Sequence, residues 1–119
     1  MKIVRMNEIP KEPISSRLFT GPDMTRQDLE LDSKEYRLSI VNFGKGVRNK
    51  FHAHVKEQIL IVTGGRGIVA TEQGEKVVTE GDVIIFPAGE KHWHGAVKDS
   101  EFSHLFVTAL GGKTTQFED

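Results

Sequence analysis

Cysteine is absent from the 119 residues. With it go a disulfide framework, a thiolate zinc site and a cysteine nucleophile. A basic block is missing too: 16 basic residues stand against 17 acidic ones, for a net charge of −1. That leaves no electrostatic footprint for nucleic acid, and no acidic run is long enough for a solvating tail. Apolar runs stop at four or five residues, far short of the ~20 that span a bilayer, so no membrane partner is expected. The opening MKIVRMNEIP lacks the apolar stretch of a secretion signal, and the expected location is the cytoplasm. No segment sustains a 3.6-residue apolar period, so no long helix is expected. Low-complexity segments and internal linkers are likewise absent.

What remains is a chain with an apolar set of 37% and 12 glycines, together inside the ordinary globular range of ~45–50%. Its length fits one domain, residues 1–119. Short strands are expected at residues 2–6, 17–20, 26–31, 36–43, 51–54, 58–63, 67–71, 76–79, 83–86, 92–97 and 101–110. The alternative for 26–31 is a helix of one or two turns. Gly64-Gly65 starts a hairpin between 58–63 and 67–71, and 113–119 reads as a polar tail. Strands of this length, with Gly- or Pro-bearing turns about every ten residues, define an all-β sandwich or barrel. The core of that barrel spans about 36–110.

Two of these strands are apolar on both faces. In 58–63, Leu60 and Val62 share one side while Ile59 and Ile61 share the other, and 83–86 behaves alike. A barrel wall needs only one apolar face, so the outer one calls for a cover. A homodimer is therefore expected, with the strands of 1–35 at its interface.

All five histidines fall in strands. His52 and His54 are two apart, as are His92 and His94, and residues i and i+2 of a strand point the same way. A lone strand histidine is usually an ordinary half-buried side chain. Two such pairs, each beside a buried apolar strand, point to a metal site, because imidazole is the commonest protein metal ligand. Gln58 keeps the parity of His54 if the chain stays extended between them.

The spacing of Gly46, His52, His54, Gln58 and Gly65 (G-x5-H-x-H-x3-Q-x6-G) resembles the first signature of the cupin superfamily. Gly81, Pro87, Gly89 and His92 (G-x5-P-x-G-x2-H) resemble the second. The resemblance implies a double-stranded β-helix, the cupin jelly-roll barrel, holding one divalent transition metal through His52, His54, position 58 and His92. Most metal-binding cupins carry Glu where this chain has Gln58. Glu57 is adjacent but off the motif spacing and off the strand parity, and a solvated loop carboxylate is the reading preferred for it. Three neutral imidazoles and a neutral amide leave a divalent charge uncompensated, so the centre should be a strong Lewis acid that favours anionic ligands. A five- or six-coordinate Mn, Fe, Ni or Co suits such donors, and Zn prefers tetrahedral closure.

Phe19-Thr20-Gly21, residues 58–63 (QILIVT), residues 87–95 (PAGEKHWHG) and Ser103-His104-Leu105 are similar to the small single-domain cupins that include manganese-dependent bacterial hydroxynitrile lyases. That likeness implies manganese, activation of a cyanohydrin hydroxyl, and a small oxygen-bearing or anionic substrate. Lyase or isomerase chemistry is the leading expectation. Metal-dependent dioxygen chemistry and a non-catalytic binding or sensor module are the alternatives.

His94 and His104 are the candidate catalytic residues, since a positioned imidazole contributes ~10²–10⁴-fold as an acid or base. The alternative for each is a structural imidazole, bonded to backbone or packed on Phe102, Phe106 or Trp93. Trp93 falls opposite His92 and should serve packing or an interface. Ser39 and Val41, or else Leu38 and Ile40, are expected to line the cavity, and the resemblance implies the first set. Tyr36 and Arg37 are unplaced, and Arg48, Lys56 and Arg66 read as solvated rim charges.

Overall fold

The computed structural model describes residues 1–119. Ten strands follow in order: β1 (Glu12–Pro13), β2 (Met24–Asp28), β3 (Tyr36–Phe43), β4 (His52–His54), β5 (Gln58–Thr71), β6 (Gly74–Thr79), β7 (Val83–Phe86), β8 (His92–Ala96), β9 (Phe102–Ala109) and β10 (Thr114–Gln116). A single 3-10 turn, Met6–Glu8, is the only helical piece. No helix is long and apolar enough to cross a membrane. The strands hydrogen-bond in the order β1-β2-β3-β9-β5-β8-β4-β10, with β6 and β7 also on β5. Every pairing is antiparallel. The result is an all-β jelly roll of two facing sheets that share one strand.

That shared strand is β5. Its first half pairs with β7 and β9, and its second half with β6 and β8. The expected hairpin at Gly64-Gly65 does not form. Instead the two glycines bend one 14-residue strand from sheet to sheet. The register against β9 slips between Val62 and Gly64, as a bulge does. Gly65 has a φ of 72°, and a Cβ there would collide with the Glu101 carbonyl, so only glycine serves. β9 pairs with both glycines, Gly64 with Ser103 and Gly65 with Phe102, and β6 and β8 take over beyond them, so the chain does not reverse there.

The other departures lie at the ends. Residues 2–6 are not a strand, and 17–20 contribute only one bridge, Phe19 to Asn49. Pro10 and Pro13 interrupt this region and remove backbone donors that a ladder needs. The strand expected at 26–31 runs instead over Met24–Asp28, and the helical alternative is excluded. Residues 113–119 are no free tail. β10 pairs with β4, opposing Thr114 to His54 and Gln116 to His52, and Phe117 N–H donates to the Phe51 carbonyl at 2.8 Å.

The interior holds two apolar clusters. Met24, Phe43, Val62, Val78, Ala96 and Phe102 form one, and Leu60, Phe86 and Phe106 the other. Inward positions of β5 are buried while Ile59 and Ile61 are half-buried outside. Opposite them, Val83 and Ile85 on β7 are 66% and 54% exposed. The outer wall thus carries an uncovered apolar strip, larger than scattered surface residues would make.

Candidate metal centre

β4, β8 and the start of β5 assemble the centre. His52 and His54 share a face of β4, and His92 of β8 sits directly opposite His52. One ring nitrogen from each of the three lies within 4.8 Å of the others. The hydrogen bonds set which nitrogen faces inward. His52 Nδ1 donates to the Lys50 carbonyl at 2.7 Å, and His92 Nδ1 to the Glu90 carbonyl at 2.8 Å. A carbonyl only accepts, so both Nδ1 atoms carry the proton and both Nε2 atoms keep a lone pair. His54 Nδ1 lies 2.8 Å from Thr114 Oγ1 and can donate likewise.

Two of these ring nitrogens, and the oxygen of Gln58, then have nothing to bond. His54 Nε2, His92 Nε2 and Gln58 Oε1 are buried without a hydrogen-bond partner. Converging acceptors with no donor are costly in a protein interior. A divalent cation removes that cost, so this donor set fits one. Burial is the main force lowering the His52 basicity to about 3, the His92 charge adding to it and the Lys50 carbonyl opposing it. Burial also takes His92 to about 4 against the Glu90 carbonyl. It lowers His54 as well, opposed by the neighbouring Gln58 amide, although Gln58 Oε1 makes no well-aligned hydrogen bond. All three are neutral near pH 7, so an ion need displace no proton from them.

Position 58 points inward and is buried, whereas Glu57 is exposed. Glu57 offers only its backbone carbonyl, which accepts from Thr108 Oγ1 at 3.0 Å.

His94 and His104 stand behind the three. The His94 ring lies parallel to His92 at 5.9 Å and meets His104 edge-on at 4.8 Å. Asn49 holds His94 in place: its amide reaches Nε2 at 3.2 Å, and its Oδ1 accepts the His94 backbone N–H at 2.8 Å. His104 packs between Phe43 and Phe102, and both its nitrogens lack a hydrogen-bond partner. Burial, then the neighbouring imidazoles, hold His94 well below its ordinary basicity, and burial lowers His104 to about 4 against the Leu105 backbone. Both are thus held neutral near pH 7, and of the two only His94 has a side-chain hydrogen-bond partner, Asn49.

The cavity in front of these rings measures about 420 Å³, a size that suits a small molecule. His52, His54, Gln58, His94 and His104 all reach its wall. Val41 lines it as expected. Ser39 does not, because its hydroxyl is buried and donates to Asp28 Oδ1 at 2.6 Å. Trp93 lies outside the cavity beneath the Arg48 guanidinium, at 4.4 Å. Arg48 is therefore no free rim charge, and it also pairs with Glu118 at 3.1 Å. Asn49, Thr114, Arg26 and Arg37 are the residues at or near the site that sequence patterning misses. They come from strands or loops distant in the chain, and no motif marks them.

A β jelly roll with a histidine cluster open to an interior cavity defines a class of small barrel proteins. Residues 39–108 match the cupin domain model, more than half of the chain. The chain belongs to the cupin family. Over 79 residues, 65% of this chain, it is 40% identical to an (R)-mandelonitrile lyase of Granulicella tundricola, and the match covers 60% of that protein's length. A cupin-like protein of Thermotoga maritima superposes with a TM-score of 0.81 at 30% identity, over 90% of this chain and 84% of its own. The polyketide cyclase RemF of Streptomyces resistomycificus superposes at 0.87 and 19% identity, over 100% and 87%, a likeness of fold.

Proposed function

We propose that the chain is a small-molecule enzyme with a centre of three histidines and one glutamine. His52, His54, His92 and Gln58 would hold one divalent ion, manganese first among the candidates, for lyase- or isomerase-type chemistry on an oxygen-bearing substrate. The observation that carries this reading is the convergence of three imidazole nitrogens, with His54 Nε2, His92 Nε2 and the Gln58 oxygen buried without a partner. When bound, the ion supplies Lewis-acid polarisation of a substrate oxygen. The chain's own part is to orient and to exclude water. Lys50, Glu90 and Thr114 fix the ring directions, and Asn49 fixes His94. His104 keeps unspent hydrogen-bonding capacity beside the cavity for a substrate group. The lyase relative favours cyanohydrin cleavage among the possible reactions.

The test is elemental analysis of protein loaded with Mn, followed by cyanide release from (R)-mandelonitrile. One ion per chain, with release that metal removal abolishes, is the expected result. No stoichiometric metal after incubation with Mn, Fe, Ni, Co or Zn would sink the reading. Stoichiometric metal without cyanide release would sink the lyase assignment alone.

We also propose that the strip of Ile59, Ile61, Val83 and Ile85 is covered by a second copy of the chain. A solution mass near twice 13.3 kDa at micromolar concentration is expected. Val83→Lys together with Ile85→Lys should return the monomer mass.

A further inference from the structure

The cavity wall has a one-sided charge. Among its 22 lining residues are Arg26, Arg37, Lys56 and Lys113, and no Asp or Glu. The chain as a whole carries 17 acidic residues and a net charge of −1, so this lining departs from its average surface. A concave site lined by one sign of charge concentrates ligands of the other.

The strand register places the two arginines. Arg26 opposes Val41 across β2 and β3, and Val41 opposes His104 across β3 and β9. Arg37 opposes Thr108, which opposes Gln58. At roughly 4.8 Å between strands, each arginine starts about 10 Å from a residue of the histidine end. The Arg37 guanidinium lies 5.5 Å from the centre of the Phe106 ring. Val41, Phe43 and Phe106 supply apolar wall between the two ends.

The donors of this pair are mostly free. Asp28 Oδ1 is 3.1 Å from Arg26 Nε and 3.9 Å from Arg37 Nη2. The first contact is off-axis, so the buried Arg26 Nε has no hydrogen-bond partner, and the second is too long for a hydrogen bond. Burial works against the Asp28 charge. The Ser39 hydroxyl and the two guanidiniums outweigh it and hold the carboxyl below its ordinary range. Asp28 thus offsets one of two positive charges. The remaining unit, presented as a planar fork, matches one carboxylate group better than a doubly charged phosphate group.

We infer that Arg26 and Arg37 form a carboxylate-binding subsite, and that the natural substrate is a small carboxylic acid. Its carboxylate sits on the arginines, its carbon body lies on Val41 and Phe106, and its reacting oxygen faces the histidines. Only the placement of that reacting end rests on the function proposed above; the subsite itself does not.

The test is calorimetric titration with glutarate, its neutral counterpart glutaramide, and glycerol 3-phosphate, on Mn-loaded and on metal-free protein. Glutarate should bind both forms and glutaramide neither. Arg26→Gln with Arg37→Gln should weaken glutarate by about 10- to 100-fold, the range for lost hydrogen bonds to a charged group. Arg37→Lys, which keeps charge without the fork, should fall between. Arg37 is exposed, so Arg37→Gln alone carries the test if the double variant does not fold, as its melting curve will tell. Glutarate binding that ignores these substitutions, equal binding of glutaramide, or no binding at all would overturn the subsite. Tighter binding of glycerol 3-phosphate than of glutarate would overturn the carboxylate assignment. The metal-free titrations keep the result readable even if the protein takes up no metal.

Discussion

His52→Ala should leave a folded protein that no longer holds a stoichiometric metal ion. The substitution removes one of three converging nitrogens, the one facing His92 directly across β4 and β8. Losing a hydrogen-bond partner behind a ligand typically costs ~10–100-fold in metal affinity. Losing the ligand itself should exceed that, so a loss beyond about 100-fold is expected in competition with a chelator. Gln58→Glu should act in the opposite direction. A carboxylate at position 58 cancels one unit of the ion's charge, and at close range even an effective dielectric near 20 makes that attraction worth about 4 kcal/mol. Desolvation of the buried carboxylate takes back part of it, so a net gain of at least ~10-fold in affinity is a fair expectation. The same variant should be less stable without metal, because its carboxylate is then buried among bare imidazole nitrogens. The paired signature is a lower melting temperature without Mn and a larger rise on adding it. If Gln58→Glu changes neither quantity, side chain 58 is not a ligand.

The all-β jelly roll was legible in the sequence because strand signals are local. Alternating or continuous apolar runs in 36–43, 83–86 and 101–110, each closed by Gly or Pro, need no partner to be read. The shared face of His52 and His54 is equally local, since it follows from period two. What escaped were features that exist only through pairing. Thr114–Gln116 has no apolar residue to betray it, and it is a strand because β4 offers it a ladder. Gly64-Gly65 looks like a hairpin until β9 is seen to pair across it. Arg26 and Arg37 sit in strands 11 residues apart by position, and only the β2–β3 register turns them to one cavity. Asn49 is an unremarkable polar residue until its amide meets a histidine 45 positions away.

Below pH 6.5 the metal-free protein should lose stability steeply and unfold near pH 5. In the unfolded chain each histidine takes a proton at about pH 6.5. In the folded protein burial holds His52 near 3 and His92 and His104 near 4. The sign follows from proton uptake. Above about 6.5 neither state is protonated at these positions, and their burial carries no penalty. As the pH falls below that value, the unfolded chain binds protons that the folded one refuses. Stability drops until the folded values are reached, each histidine contributing about 1.4 kcal/mol per pH unit. Three together cost about 6 kcal/mol between pH 6.5 and 5, comparable with the ~5–15 kcal/mol that holds a typical domain. His54 and His94 are lowered too and act in the same direction. A bound ion should move the transition to lower pH, since an ion that binds only the folded state adds its own free energy to stability. His104 separates the two effects. It is not among the proposed ligands, and Phe43 and Phe102 flank it, so His104→Leu should reduce the metal-free slope by roughly a fifth to a quarter, as one of five lowered histidines, while leaving the metal sites filled. Melting temperatures by circular dichroism from pH 7.5 to 4.5, with and without Mn, read out both. A flat profile between pH 6.5 and 5 would mean that these imidazoles are not buried neutral, and the account of the centre as a set of bare acceptors would fall with it.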